Sequence, residues 1–151
     1  MEQLGVSPRH PNWDLAETVL FQILPGSTGF DPEQIAGLAP ESWRPFDIDD
    51  REPAEVASDL LGYCERVVAG LLIVVTFESY RALAGPFFVA SERLGDFVSH
   101  YENAFNDVFV AGDVIIASPA TNVVVVVHHS GLIATLIGPE GASRSPWLRS
   151  V

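Results

Sequence analysis

Hydrophobic side chains recur every three or four positions in three stretches of the chain, which is the spacing of one face of an α-helix. The stretches that this pattern predicts as helices are residues 13–24, 53–68 and 92–105. Asn12 and Ser91 stand immediately before the first and the third stretch, where a short polar side chain can cap the helix. Asp31 followed by Pro32 predicts one further, shorter helix that reaches about Leu38.

Other stretches are continuous runs of β-branched and aromatic residues that are too short for helices and are typical of buried strands. The predicted strands are residues 71–77, 86–90, 108–110, 114–117, 123–127 and 132–137. The last four are separated by short, turn-rich breaks, so we expect antiparallel hairpins there. Because residues 123–127 are all valine, both faces of that strand are apolar, and we expect it to be central and covered on both sides.

Helices that precede and interrupt the strands, followed by a run of hairpins, indicate an α+β fold. We expect about three helices packed on a mainly antiparallel sheet that ends in a C-terminal β-meander. At 151 residues one domain is the natural expectation. We expect it to cover residues 1–137, with an irregular arm at residues 1–12, and to be followed by a loosely ordered tail at residues 138–151.

The chain is strongly acidic, with 20 acidic and 8 basic side chains and a net charge of −12. All eight cations are arginine, and the absence of lysine excludes Schiff-base chemistry and a P-loop lysine. Nucleic acid and anionic lipid are both bound through clustered cations. We therefore expect neither nucleic acid nor a membrane as a direct partner.

The acidity is concentrated in one part of the chain. Residues 31–65 hold ten acidic side chains and two arginines, which accounts for a net −8 of the total −12. A surface of this kind suits a basic protein partner, since charge speeds encounter and fixes orientation. The alternative is a solvated helix start, because the helix macrodipole favours acids at its N-terminus. The candidate partner-binding residues are Asp47, Asp49, Asp50, Glu52, Glu55 and Asp59, with Trp43 and Phe46 as aromatic anchors.

The same carboxylates do not form a calcium-binding loop. Counted from Asp47, the sixth position of an EF-hand loop is Glu52 and the twelfth is Ser58, whereas that loop needs glycine and glutamate there. We therefore expect no metal ion and no cofactor.

Three histidines offer a different chemistry. His128 and His129 end a predicted strand, and the alternation of side chains along a strand predicts that their rings point to opposite faces. On that prediction they cannot bind one metal ion together unless the strand breaks between them. A small hydrolase or ligand-binding domain would bring one of them, or His100, into a pocket beside a carboxylate such as Asp113. The alternative is that the two strand-end histidines only close the hairpin.

Cys64 is the only cysteine, so an intrachain disulfide is impossible. It falls on the apolar stripe of its predicted helix, where a small buried hydrophobe is expected rather than a nucleophile. The first residues lack the basic and apolar segments of a secretory signal. We therefore expect a cytoplasmic protein.

The C-terminal half resembles a known family over residues 91–137. The similar features are the sequences GDVIIASP at 112–119, VVVVVHH at 123–129 and GLI at 131–133. They resemble the endings of small immunity proteins from bacterial polymorphic and contact-dependent toxin systems. The resemblance implies an acidic, non-catalytic inhibitor that binds a basic toxin stoichiometrically, and it transfers no binding residue because such families use different surfaces.

Three functional hypotheses follow. The leading one is a non-catalytic inhibitor, an immunity protein that binds and occludes a cognate, basic toxin through the acidic surface. The second is a small hydrolase or ligand-binding domain with a histidine-containing pocket. The third is an anti-defence or structural protein of a phage or other mobile element.

Overall fold

The computed structural model describes residues 11–46, 48, 52–81, 84–105, 109–110 and 112–138. The helices of this part are α1 (Asn12–Ile23), α2 (Pro32–Ala36), α3 (Pro53–Glu65), α4 (Phe77–Arg81) and α5 (Leu94–Phe105). The strands are β1 (Arg44–Pro45), β2 (Leu71–Thr76), β3 (Phe87–Ala90), β4 (Val114–Ser118), β5 (Val123–His128) and β6 (Leu132–Ile137). None of the helices in these ranges has the length and apolar character needed to cross a bilayer.

The six strands form one sheet in the order β1-β6-β5-β4-β2-β3, and every pair of neighbours is antiparallel. The predicted α+β fold is therefore confirmed, and so is the C-terminal meander, since β4, β5 and β6 are adjacent. The turn between β4 and β5 includes Asn122 at a φ of 60°. Asparagine tolerates this left-handed conformation better than most residues, which suits it to a tight turn.

Each face of the sheet carries its own core. Val123, Val125 and Val127 of β5 pack in one core with residues of α3 and α5. Val124 and Val126 pack in the other with residues of α1 and α2. The expectation that this strand is central and covered on both sides is confirmed, because the run of valine has an apolar layer to bury on either side.

Two local predictions are wrong. The first is the Asn12 cap: Asn12 is itself the first residue of α1, Pro11 takes the cap position, and no side chain caps this end. The second is the strand at residues 108–110, of which residue 108 lies outside the described part. Phe109 and Val110 form a buried turn. The Phe109 N–H donates to the Glu102 carboxylate at 2.9 Å, so its hydrogen-bond acceptor is a side chain and not the backbone of a neighbouring strand.

The remaining differences are shifts of element ends. The strand predicted to reach Phe77 ends at Thr76, and the short helix α4 follows without having been predicted. Its start is fixed where the Thr76 N–H donates to the Ser79 hydroxyl at 3.0 Å. Ser91 begins a short 3-10 turn that leads into α5. The predicted arm before residue 11 and the predicted tail after residue 138 lie outside the described residues.

Candidate functional site

The predicted acidic surface is described only in part. Asp47, Asp49 and Asp50 lie outside the described residues. Glu52 is exposed at the cap position of α3, where its side chain makes no capping hydrogen bond. Glu55 and Asp59 are exposed on the helix itself. Two of these three acids therefore lie where the helix macrodipole favours negative charge, and Asp59 lies beyond it.

The two predicted aromatic anchors, Trp43 and Phe46, are half-buried on either end of β1. Trp43 packs against the core of α1 and α2, and its ring meets the His128 ring edge-on, with 6.0 Å between the centroids. Phe46 packs against the core of α3 and α5, and its N–H donates to the Gly131 carbonyl at 2.8 Å. Each aromatic side chain thus contributes to a different core.

Helices α3 and α5 lie side by side on one face of the sheet and leave a groove between them. One cavity in it has a volume of about 470 Å³, and small residues line much of it, Ser58 and Gly62 from α3 and Gly95 and Ser99 from α5. A neighbouring cavity of about 450 Å³ shares Gly95 with it and continues towards Ser91. We call the two cavities together the α3/α5 groove.

The charged side chains of the α3/α5 groove all carry the same sign. Among the described residues that line it, the charged ones are Glu65 of α3, Glu92 just before α5 and Glu102 of α5. Glu92 and Glu102 lie outside the acidic segment of the sequence. Sequence reasoning missed them because it could not tell that α3 and α5 would be neighbours.

Cys64 lines the same groove from below. The residue is only 1% exposed, which confirms the expectation of a buried side chain. Burial raises the pKa of the Cys64 thiol to about 12, because a thiolate would lose its hydration there. The group therefore remains a neutral thiol at physiological pH and is not suited to act as a nucleophile.

A second group of polar side chains meets at the end of β5. The strand ends at His128 and the chain turns at His129, so the two rings stack, with 4.4 Å between their centroids. The prediction that these rings point to opposite faces is therefore wrong, because it assumed that the strand continues through both. His129 Nδ1 lies 2.8 Å from Asp113 Oδ1, and the same oxygen accepts the His129 backbone N–H at 2.8 Å.

Two more contacts complete this group. His128 Nδ1 lies 2.7 Å from the Ser130 hydroxyl, and His128 Nε2 lies 3.4 Å from the carboxylate of Glu33 in α2. His100 is not part of the group, since its ring contacts the Asp96 carbonyl within α5. We call Asp113, His128, His129 and Glu33 the hairpin cluster.

The hairpin cluster brings together the histidine and carboxylate that the second hypothesis requires, but not in an enclosed pocket. A cavity of about 100 Å³ adjoins it, lined by Asp113, Phe30 and Tyr80 but by neither histidine. His129 has 61% of its side chain exposed. The arrangement can therefore bind a small ion or exchange protons with solvent, whereas it does not enclose an organic substrate.

The opposite side of the sheet carries an apolar groove. It has a volume of about 500 Å³ and lies between α1, the β2 and β3 edge, and the turn after β4. Leu15 and Leu71 line it and are 57% and 58% exposed. We call it the α1 groove, and no charged side chain is among the described residues that line it.

These surfaces can be set beside known proteins. No protein-family model matches the chain, and comparison with curated proteins and with solved structures found no match. A function for this chain therefore has to be argued from the chemistry of its own surfaces.

Proposed function

We propose that this protein is a non-catalytic inhibitor that binds and occludes a basic partner protein through the layer formed by α3 and α5. The observation that carries the proposal is the α3/α5 groove, whose charged lining among the described residues consists of Glu65, Glu92 and Glu102. An arginine or lysine side chain that enters such a groove forms charge-assisted hydrogen bonds with these carboxylates.

The small residues of the groove support a partner that inserts side chains. Ser58 and Gly62 on one wall and Gly95 and Ser99 on the other leave space between the helices. Long basic side chains can lay their apolar stems along such walls while their charged ends reach the carboxylates at the rim. An elongated groove of this kind suits a segment of a folded partner.

The acids outside the groove would steer the partner towards it. Glu55 and Asp59 are exposed on α3. Asp96 of α5 is exposed too, but it is paired with Arg93 at 3.7 Å and so adds little net charge. Charges of one sign on a surface raise the rate of encounter with an oppositely charged partner, and screening by salt removes the effect. Asp47, Asp49 and Asp50 precede α3 in the sequence, and we propose that they extend this surface.

The resemblance of residues 91–137 to immunity proteins identifies the class of partner that we propose, a cognate basic toxin. Central valines with 0% exposure make the sheet under α3 and α5 a well-packed support, as occlusion of an active site requires. We also propose a cytoplasmic location, which is compatible with the free buried thiol of Cys64.

The proposal is tested by co-expression and then by binding kinetics. The chain is first expressed with the product of each neighbouring open reading frame, and protection from a toxic product is measured as growth. We then expect Glu65→Gln, Glu92→Gln and Glu102→Gln together to slow association by about tenfold and to reduce its dependence on salt. Gln keeps the acceptor for the Phe109 N–H, so the fold is retained.

A control variant changes the same amount of charge elsewhere. Asp14→Asn, Glu17→Gln and Glu41→Gln lie in or beside the layer of α1 and α2, and we expect wild-type association from them. Equal slowing in both variants would assign the effect to net charge and contradict the groove. If the wild-type chain neutralises no neighbouring product and binds none, the inhibitor function itself is contradicted.

A further inference from the structure

We propose that the hairpin cluster binds one divalent transition-metal ion of the zinc class, with Asp113, His128 and His129 as ligands and Glu33 as an additional carboxylate. One nitrogen or oxygen donor atom from each of the first three side chains lies within 4.8 Å of those from the other two. This site lies outside the α3/α5 groove and does not depend on the inhibitor function.

The donor set decides which ions fit. Two imidazoles and a carboxylate suit zinc, cobalt, nickel or copper, whereas magnesium and calcium prefer oxygen ligands alone. With bonds of about 2.0–2.2 Å, the donors around a tetrahedral zinc ion lie about 3.3–3.6 Å apart. The donors of the cluster lie within 4.8 Å of one another, so they must approach by about 1 Å to reach this spacing. The His129 ring stacks on the His128 ring, and 61% of its side chain is exposed to solvent.

The fold places the ligands from separate parts of the chain. Asp113 precedes β4 and His128 ends β5, and these positions adjoin because Val114 pairs with Val127 in the sheet. Glu33 lies in the first turn of α2. The Asp31 side chain caps this helix and accepts the Glu33 N–H at 3.0 Å, which fixes where the helix begins. Ligands held by secondary structure are more accurately placed than ligands on long loops.

The two nitrogens of His128 have different partners. Nε2 faces Glu33 at 3.4 Å, while Nδ1 lies 2.7 Å from the Ser130 hydroxyl and accepts the Ser130 backbone N–H at 3.2 Å. When the ion binds at Nε2, the ring proton moves to Nδ1, where the Ser130 hydroxyl oxygen accepts it and the contact with the Ser130 N–H is given up. A histidine ligand is commonly oriented by such a partner on its other nitrogen. Trp43 adds an apolar wall against the ring.

The charges of the cluster also suit a cation. Each imidazole has a carboxylate beside it, since His129 Nδ1 lies 2.8 Å from Asp113 and His128 Nε2 lies 3.4 Å from Glu33. A divalent ion bound by Asp113, His128 and His129 would have its charge balanced by the Asp113 carboxylate and by Glu33, which lies 3.4 Å from His128 Nε2.

The test is a titration of the full chain, freed of metal by a chelator, with Zn²⁺ in a calorimeter. We expect one ion per chain, and a visible absorption spectrum of four-coordinate Co²⁺ when that ion is used instead. His129→Ala and Asp113→Asn should each weaken Zn²⁺ binding at least about tenfold. Asn retains an acceptor for the His129 N–H, so the turn is kept.

His100→Ala is the matched control, because it removes an exposed histidine that lies on α5. We expect it to bind Zn²⁺ as the unchanged chain does, and Glu33→Gln to weaken binding less than the loss of a histidine. Melting curves without metal confirm that each variant is folded. The site is refuted if the unchanged chain binds no Zn²⁺, or if the His128→Ala, His129→Ala double variant binds it equally tightly.

Discussion

The two sides of the sheet present grooves of opposite chemistry. The α3/α5 groove is lined by small residues and three glutamates, whereas the α1 groove is apolar and exposes Leu15 and Leu71. The sheet between them is valine and isoleucine on both faces. The difference between the two surfaces therefore arises in the helices, and the sheet serves both as a common support.

The two chemistries act over different distances. Carboxylates attract a basic partner out to about 8 Å, the screening length at physiological ionic strength, whereas an apolar groove contributes only on contact, by releasing water. The α3/α5 groove therefore suits a partner that must be captured quickly. The α1 groove differs in that its contribution would change little with salt.

The largest effect that we expect is on the rate at which Cys64 is alkylated. This rate tests whether water reaches the base of the α3/α5 groove. Thiol reagents attack the thiolate. With the pKa of Cys64 raised to about 12 by burial, against 9.0 for an ordinary thiol, about 0.1% of the thiol is ionised at pH 9, compared with half in the unfolded chain. We expect alkylation at pH 9 to be about 500-fold slower in the native protein than in denaturant.

The same shift has a consequence for stability. The unfolded chain loses the thiol proton near pH 9 and the folded chain near pH 12, so the free energy of unfolding falls as pH rises above 9 and is unaffected below it. The Cys64→Ala variant should lose this part of the pH dependence. Rapid alkylation of the native protein would show that water reaches the base of the groove.

The second prediction compares the two cores. Leu60 of α3 and Leu20 of α1 are 1% and 0% exposed and belong to the cores on opposite faces. Leu60→Ala and Leu20→Ala should each lower the free energy of unfolding by about 3 kcal/mol, since each leaves a cavity in a packed layer. Urea denaturation measures both. A loss under about 1 kcal/mol for either would show that its helix layer is loosely attached.

Much of the fold could be predicted from the sequence because its signals are local. Apolar runs bounded by turn residues identified β2, β4, β5 and β6, and periodicity identified α1, α3 and α5. The errors arose where a distant side chain decides the structure. The buried turn at Phe109 depends on Glu102, and no periodicity shows that contact.

The candidate sites were less predictable for the same reason. Glu65, Glu92 and Glu102 share a groove only because α3 packs beside α5. The hairpin cluster depends on β5 ending at His128. The prediction that the two rings point to opposite faces treated His129 as part of the same strand. The contact between His129 and Asp113, one of the pairings that the second hypothesis allowed, forms because β4 and β5 make a hairpin whose ends must meet.

The smallest effect on stability is expected at the α1 groove. Leu15 and Leu71 are more than half exposed, so Leu15→Gln and Leu71→Thr together should change the free energy of unfolding by no more than about 0.5 kcal/mol. Both replacements suit their elements, since Gln favours helix and Thr favours strand.

The same double variant should nevertheless lose most of its binding of an apolar fluorescent dye, because the exposed apolar patch is removed. Glu65→Gln, which alters only the other groove, should leave the dye signal unchanged, and salt should affect neither result. Unchanged dye binding in the double variant would mean that the apolar contact surface lies outside the α1 groove. Loss of the signal with Glu65→Gln would mean that the two sides of the sheet are not independent, because a change in one helix layer would then reach the other through the shared valines of β5.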